Sequence, residues 1–201
     1  MAGEHTPPAP AVMKVLITGG FGVGKTALVG AVSEITPVTT EAPITVASAD
    51  TDSLAGREQK DTTTVSFDFG RRTYPGALPV ELFLFGTPGQ DRFACLWEDI
   101  ARGAVGAVVL VDTRNLSDAF TPLDFTERHG LPFVIAVNEF TQAHRYTPDE
   151  VRTALDVDTT VPVVTCDARA PVSARAVLTA LLVHVRALKY PSTPLARGAL
   201  L

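Results

Sequence analysis

One stretch near the start of the chain constrains the fold more than any other. It is an apolar run, Val15 to Thr18, that turns through glycines into a lysine and a threonine. The spacing Gly19-x-x-x-x-Gly24-Lys25-Thr26 puts glycines where a chain must bend sharply and bring its backbone close to a ligand. Such a turn aims several backbone N–H groups inward at once, which suits an anion with many oxygens. The stretch therefore predicts a strand, a phosphate-binding loop and a helix, in that order.

Each part of this loop has a predicted role towards a triphosphate. Lys25 is expected to reach the β- and γ-phosphates, the Thr26 hydroxyl to bind Mg²⁺, and the positive end of the following helix to face the anion. The predicted phosphate-contacting residues are Gly20, Phe21, Gly22, Val23, Gly24, Lys25, Thr26 and Ala27. The alternative is a strand that ends by chance in a glycine turn, and the helical spacing of residues 26–32 disfavours it.

The composition fits one domain of ordinary size and argues against several classes of protein. Of 201 residues, 46% are apolar, which is enough for a sizeable core. A net charge of −5 argues against a nucleic-acid partner, because phosphate backbones are bound through clustered Lys and Arg. The first residues do not resemble a signal peptide, and the longest uncharged apolar run, Ala104 to Val111, is too short to span a membrane. Two cysteines without CxxC spacing predict a cytoplasmic location.

The order of periodic segments predicts an α/β fold. Strands are expected at 13–18, 62–70, 79–85, 104–112, 132–138 and 161–166, and helices at 26–32, 97–101, 117–129, from 147 onward, and at 172–188. Residues 34–61 lack clear periodicity and are predicted to be a long mobile segment with at most a short strand at 44–47. Pro75-Gly76 between two strands predicts a hairpin.

These segments together predict a P-loop NTPase fold. It has three layers and a mostly parallel six-stranded sheet with one antiparallel strand, and its ligand lies at the carboxyl ends of the strands. The predicted domain spans residues 12–189. A disordered tail is expected at 1–11 and a flexible tail at 190–201, because both are rich in proline and polar or small residues.

Further motifs follow the glycine loop in a fixed order. They are Gly89-Gln90-Asp91-Arg92-Phe93, then Ala101-Arg102-Gly103-Ala104, then a strand that ends in Val111-Asp112. Together they resemble the Ras-like small GTPases, in particular the bacterial branch of polarity GTPases and actinobacterial conservon GTP/ATP-binding proteins. The resemblance covers residues 13–188 and implies GTP or GDP and Mg²⁺ as ligands.

The resemblance also implies roles for residues outside the glycine loop. Thr64 corresponds to the threonine of the first switch that closes on Mg²⁺ and the γ-phosphate, with Thr62 and Thr63 as alternatives. Gly89 is implied to give a backbone N–H to the γ-phosphate, and Gln90 to orient the attacking water. The implied catalytic set is then Lys25, Thr64 and Gln90, and the implied metal ligands are Thr26 and Thr64.

The base-recognition motif departs from the family pattern. Where the family has Asn-Lys-x-Asp, this chain has Asn138-Glu139-Phe140-Thr141. A threonine hydroxyl cannot accept both guanine donors as a carboxylate does, so a weakened guanine preference is expected. Residues 166–169 resemble the last base-contact loop, with a backbone N–H near Ala168 for the guanine oxygen and Arg169 over the ring. The implied base contacts are Asn138, Glu139, Thr141, Asp167, Ala168 and Arg169.

Two other departures predict slow hydrolysis. Gly86 stands where the family has an aspartate that holds Mg²⁺ through water, and the ring of Phe21, beside the γ-phosphate, is expected to crowd Gln90 and an incoming arginine finger. The sequence thus predicts a GTP-binding switch that hydrolyses GTP slowly. The alternatives are a nucleotide-binding scaffold, an ATP-preferring ATPase and a small-molecule or nucleoside kinase. The resemblance implies a roadblock-type regulator and a sensor kinase-like protein as partners, with no direct membrane insertion and membrane association only through these partners.

Overall fold

The computed structural model describes residues 9–45, 62–76, 78–89, 96–141 and 143–191. These residues form an α/β domain built on one seven-stranded sheet. Its elements in chain order are β1 Ala11–Gly19, α1 Lys25–Val32, β2 Val38–Thr45, β3 Thr62–Tyr74, β4 Val80–Gly86, α2 Trp97–Ala101, β5 Ala104–Val111, a 3₁₀ helix Leu116–Ala119, α3 Phe120–Arg128, β6 Phe133–Asn138, α4 Pro148–Ala154, β7 Val163–Cys166 and α5 Pro171–Lys189.

The sheet confirms the predicted topology but has one strand more than predicted. Its order is β2-β3-β4-β1-β5-β6-β7, and β3 runs antiparallel to both of its neighbours while the other neighbouring pairs are parallel. The additional strand is β2, which lies in the segment expected to be mobile. Its backbone pairs with β3 from Val38 opposite Phe69 to Thr45 opposite Thr62. The prediction of six strands was wrong because an edge strand takes its hydrogen bonds from one neighbour and needs no alternating apolar pattern.

The ends of several elements also shift from their predicted positions. The strand β1 begins at Ala11, which the sequence assigned to the disordered tail. The strand β3 continues to Tyr74, and its ladder with β4 from Asp68 opposite Gly86 to Tyr74 opposite Val80 confirms the predicted hairpin. The longer ladder gives the backbone of residues 71–74 hydrogen-bond partners that the local sequence does not indicate.

The core explains why the central strands are apolar throughout. Helices α1 and α5 pack on one face of the sheet, and α2, α3 and α4 pack on the other. The strand β6 is therefore buried along its whole length, and most of β1 and β5 is buried as well. Strands covered on both faces are expected to read as continuous apolar runs. The three-layer arrangement places every loop that follows β1, β5, β6 and β7 at the same edge of the sheet.

The last helix, α5, is long and apolar enough to cross a membrane by length and composition alone. In this structure one of its sides packs on the sheet, where Ala174, Val177, Leu178, Leu181 and Val185 are buried. This is the arrangement of a core helix in a three-layer domain.

Candidate nucleotide-binding site

The loop between β1 and α1 has the backbone that its glycines predict. Gly19, Gly22 and Gly24 have φ values of 141°, 74° and 109°, a region that other residues rarely adopt. Gly24 is also required for space, since a Cβ atom added there would lie 2.7 Å from the side-chain amide nitrogen of Asn138. The loop thus turns tightly beneath the amino end of α1, where backbone N–H groups favour an anion.

Lys25 is held over this loop. Its ammonium donates hydrogen bonds to the carbonyl oxygens of Gly19 at 2.7 Å and Gly20 at 2.6 Å, and only 8% of the residue is exposed. Burial lowers the pKa of Lys25 from 10.5 to about 8, and the charge of Asp68 opposes part of that shift. A buried cation fixed in this way is ready to pair with phosphate oxygens.

Gly89, in the segment after β4, lies against Lys25. A Cβ atom added to Gly89 would lie 2.5 Å from the Lys25 ammonium nitrogen and 2.9 Å from the Cα atom of Phe21. Only a glycine permits this approach, so the backbone after β4 lies directly beside the phosphate-binding loop. Between them is an open cavity of about 430 Å³, lined by Phe21, Gly22, Gly24, Lys25, Thr26, Ala27, Asp68, Thr87, Pro88 and Gly89.

Asp68 on β3 is the residue of this cavity that the sequence analysis missed. One carboxylate oxygen accepts a hydrogen bond of 2.6 Å from the Thr26 hydroxyl, and the other accepts one of 3.1 Å from the Thr39 hydroxyl. Asp68 is directly opposite Gly86 in the sheet, and a Cβ atom added to Gly86 would lie 3.1 Å from that of Asp68. A carboxylate from β3 therefore lies beside the end of β4. An acid between two phenylalanines in a strand was the available signal.

The donor set at this point fits Mg²⁺. The Thr26 hydroxyl and the Asp68 carboxylate are adjacent hard oxygen ligands, which Mg²⁺ prefers. Within the part of the chain that the structure describes, no three His, Cys, Asp or Glu side chains form a metal cluster.

Phe21 is 74% exposed and lines the rim of the cavity. Its predicted effect was to crowd Gln90, which lies outside the described residues. The crowding therefore stays a prediction.

Asn138 joins three of the predicted site segments. Its side-chain nitrogen donates to the carbonyl oxygen of Val23 at 2.9 Å, and its side-chain oxygen accepts from the backbone N–H of Ala168 at 3.0 Å. The phosphate-binding loop, the end of β6 and the loop after β7 are thereby linked. The Ala168 N–H, predicted to meet a guanine oxygen, is bonded to Asn138 here.

The remaining predicted base contacts lie in the same two loops. Thr141 is exposed, and the nearest cation to the half-buried Glu139 carboxylate is Arg145 at 3.8 Å. Arg169 donates to the two carboxylate oxygens of Asp167 at 3.1 and 3.2 Å, and its side chain is mostly exposed. None of these contacts selects guanine over adenine.

Two predicted site residues are not tested here. Gln90 lies outside the described residues. Thr64 lies in β3 with its backbone opposite Pro43, and its side chain is outside the described part. Their implied roles stay predictions.

Comparison with known proteins supports the assignment of this site. A protein-family model described as a conserved hypothetical ATP binding protein matches residues 17–187. The chain belongs to this family. The match begins in β1, just before the phosphate-binding loop, and ends within α5, so it covers the three-layer domain described above. Family membership and geometry agree on a nucleotide-binding protein of the P-loop type. A comparison with curated proteins gives no match.

Proposed function

We propose that the chain binds a purine nucleoside triphosphate together with Mg²⁺ and hydrolyses it slowly, as a switch that other proteins recognise. The observation that carries this proposal is the buried Lys25 ammonium beside the Thr26–Asp68 pair, on a glycine loop at the amino end of α1. The ammonium suits the phosphate oxygens of a metal–triphosphate complex, and the hydroxyl and the carboxylate suit its metal ion.

Each residue then has a definite task. The loop amides and Lys25 bind the β- and γ-phosphates and reduce their mutual repulsion. Thr26 and Asp68 would hold Mg²⁺, which supplies charge neutralisation across the phosphates when bound. Gln90 is proposed to orient the attacking water, and Thr64 to close on the metal and the γ-phosphate.

Contacts around Gly89 support a switch rather than a static site. The indole N–H of Trp97 donates to the carbonyl oxygen of Pro88 at 3.1 Å, and the ring packs edge-on against Phe125 of α3 at 5.4 Å. A phosphate that shifts Gly89 would therefore also shift the packing between α2 and α3. The resemblance to bacterial small GTPases favours a roadblock-type regulator and a sensor kinase-like protein as partners.

Two nucleotides, GTP and ATP, are candidates for the ligand. GTP follows from the resemblance to small GTPases. ATP is the second candidate because the family is described as ATP binding and because exposed Thr141 replaces the carboxylate that would accept the guanine donors. Thermal stabilisation of the purified protein by ATP but not by GTP would reject GTP.

Hydrolysis is tested by replacing Gln90 with leucine. We expect nucleotide affinity to stay within about twofold of the parent, while the single-turnover rate of phosphate release falls by about 10²-fold, as for other residues that orient a reacting group. The rate is measured by rapid quench with and without a candidate roadblock partner. If the parent itself releases phosphate no faster than the buffer under both conditions, the protein is a nucleotide-binding scaffold.

A further inference from the structure

The loop that follows β5 touches two other loops. One is the loop that begins at Asn138 after β6, the base loop, and the other is the phosphate-binding loop between β1 and α1. Asp112 follows β5 directly, and its carboxylate accepts hydrogen bonds from the Arg114 guanidinium. Nε donates to one carboxylate oxygen at 3.0 Å, and Nη2 donates to the other at 2.6 Å. The backbone N–H of Arg114 also donates to Asp112 at 2.9 Å. A guanidinium held through two nitrogens of one edge has little freedom to rotate.

This fixed guanidinium lies on Phe140. The central carbon of Arg114 is 3.7 Å from the centroid of the Phe140 ring, a stacked cation–π contact. Phe140 is the third residue of Asn138-Glu139-Phe140-Thr141, the segment at the predicted base position. A second contact joins the same loops, since the Thr113 hydroxyl donates to the carbonyl oxygen of His144 at 3.3 Å.

The other end of the loop lies against the phosphate site. A Cβ atom added to Gly20 would lie 2.6 Å from the Cβ atom of Asp118, in the 3₁₀ helix. Between the two contacts is a cavity of about 200 Å³, whose lining includes Phe21 and Val23 on one side and Asp112 and Arg114 on the other. Residues 112–118 thus span the distance between the base loop and the phosphate-binding loop.

We infer that Arg114 is a positioning residue for base recognition: oriented by Asp112 and stacked on Phe140, it fixes the base loop relative to the phosphate-binding loop. The inference rests on the proposed nucleotide binding and concerns only the nucleoside part of the ligand. It explains how a chain without the usual carboxylate at Thr141 keeps its base loop in place. The part of the nucleotide affinity that comes from the base then depends on the position of the base loop.

The test compares a purine triphosphate with inorganic tripolyphosphate, both with Mg²⁺, by calorimetric titration. Arg114→Ala is expected to weaken binding of whichever of ATP and GTP binds more tightly by about tenfold. This is the size expected when a partly exposed cation–π contact is lost and the base loop is no longer held in place. Affinity for tripolyphosphate should stay within about twofold, because Lys25 and the glycine loop are unchanged. Phe140→Leu is expected to act in the same direction, and the double variant should lose no more than the larger single loss.

Arg128→Ala is the matched control. Arg128 pairs with Asp124 on α3 at 2.6 Å and is an arginine–carboxylate pair on the surface, and no contact joins it to the base loop among the described residues. It should bind both ligands as the parent does. Arg114→Lys, which keeps the charge but not the planar fork, should recover less than half of the lost nucleotide affinity.

Two results would overturn the inference. One is unchanged purine triphosphate affinity in Arg114→Ala, and the other is an equal loss of affinity for purine triphosphate and tripolyphosphate. A parent protein that binds tripolyphosphate but neither ATP nor GTP would instead reject the proposed function, and this inference with it.

Discussion

A protein in which Lys25 is replaced by alanine is expected to bind purine triphosphates about 10²- to 10⁴-fold more weakly than the parent, from the loss of two charge-assisted hydrogen bonds. In the structure this ammonium is buried and held by the carbonyl oxygens of Gly19 and Gly20, so no other described lysine can take its place. Equilibrium titration with Mg²⁺-ATP and Mg²⁺-GTP measures the loss. Lys189→Ala, at the exposed end of α5, is the matched control and should bind as the parent does.

The same charge can be removed from the parent by pH. Burial lowers the pKa of Lys25 to about 8, whereas pairing with phosphate raises its pKa in the complex. Only the protonated lysine binds well, so affinity should be constant below pH 8 and fall about tenfold per pH unit above it. Lys25→Ala should show no such fall. A parent affinity that stays constant from about pH 7 to pH 9.5 would contradict the lowered pKa of Lys25 in the free protein.

A protein with Asp68 replaced by asparagine is expected to need about 10- to 100-fold more Mg²⁺ for the same nucleotide affinity, the usual cost of losing a group at or beside a metal ligand. Asparagine keeps an oxygen for the Thr26 hydroxyl but removes the negative charge that we propose faces the metal. Nucleotide affinity is titrated against Mg²⁺, and Mn²⁺ binding is followed by electron paramagnetic resonance. Without divalent metal, parent and variant should bind nucleotide within about threefold of each other.

Asp124→Asn on α3 is the control for Asp68, since it removes an exposed carboxylate that pairs with Arg128. It should leave the Mg²⁺ requirement unchanged. Equal Mg²⁺ requirements in Asp68→Asn and the parent would show that Asp68 only orders Thr26 and Thr39 and does not contribute to the metal site.

The parts of the molecule that local rules determine were predictable from the sequence. The glycine loop and the helix after it follow from the backbone angles that only glycine adopts easily at Gly22 and Gly24. The strands β1, β5 and β6 follow from apolar runs that are buried on both faces. The resemblance to small GTPases implied that Lys25 and Gly89 belong to one site, and the fold brings the two residues together.

Features that depend on neighbouring strands were not predictable in this way. The role of Asp68 becomes visible only when β3 pairs with β4 and places it opposite Gly86. The strand β2 forms because β3 offers its edge, although its own sequence gives no periodic signal. Phe21 is exposed at the rim of the cavity, a position that residue size alone does not determine.

The central claim is that the loop between β1 and α1 holds a purine triphosphate, and calorimetric titration of the parent protein tests it most directly. Mg²⁺-ATP and Mg²⁺-GTP are titrated separately into nucleotide-free protein, with a Lys25→Ala sample in parallel. The account predicts saturable binding of at least one of them at a single site, and a loss of at least about 10²-fold in the variant. Absence of binding of both triphosphates to the folded parent, or equal binding to parent and variant, would contradict it.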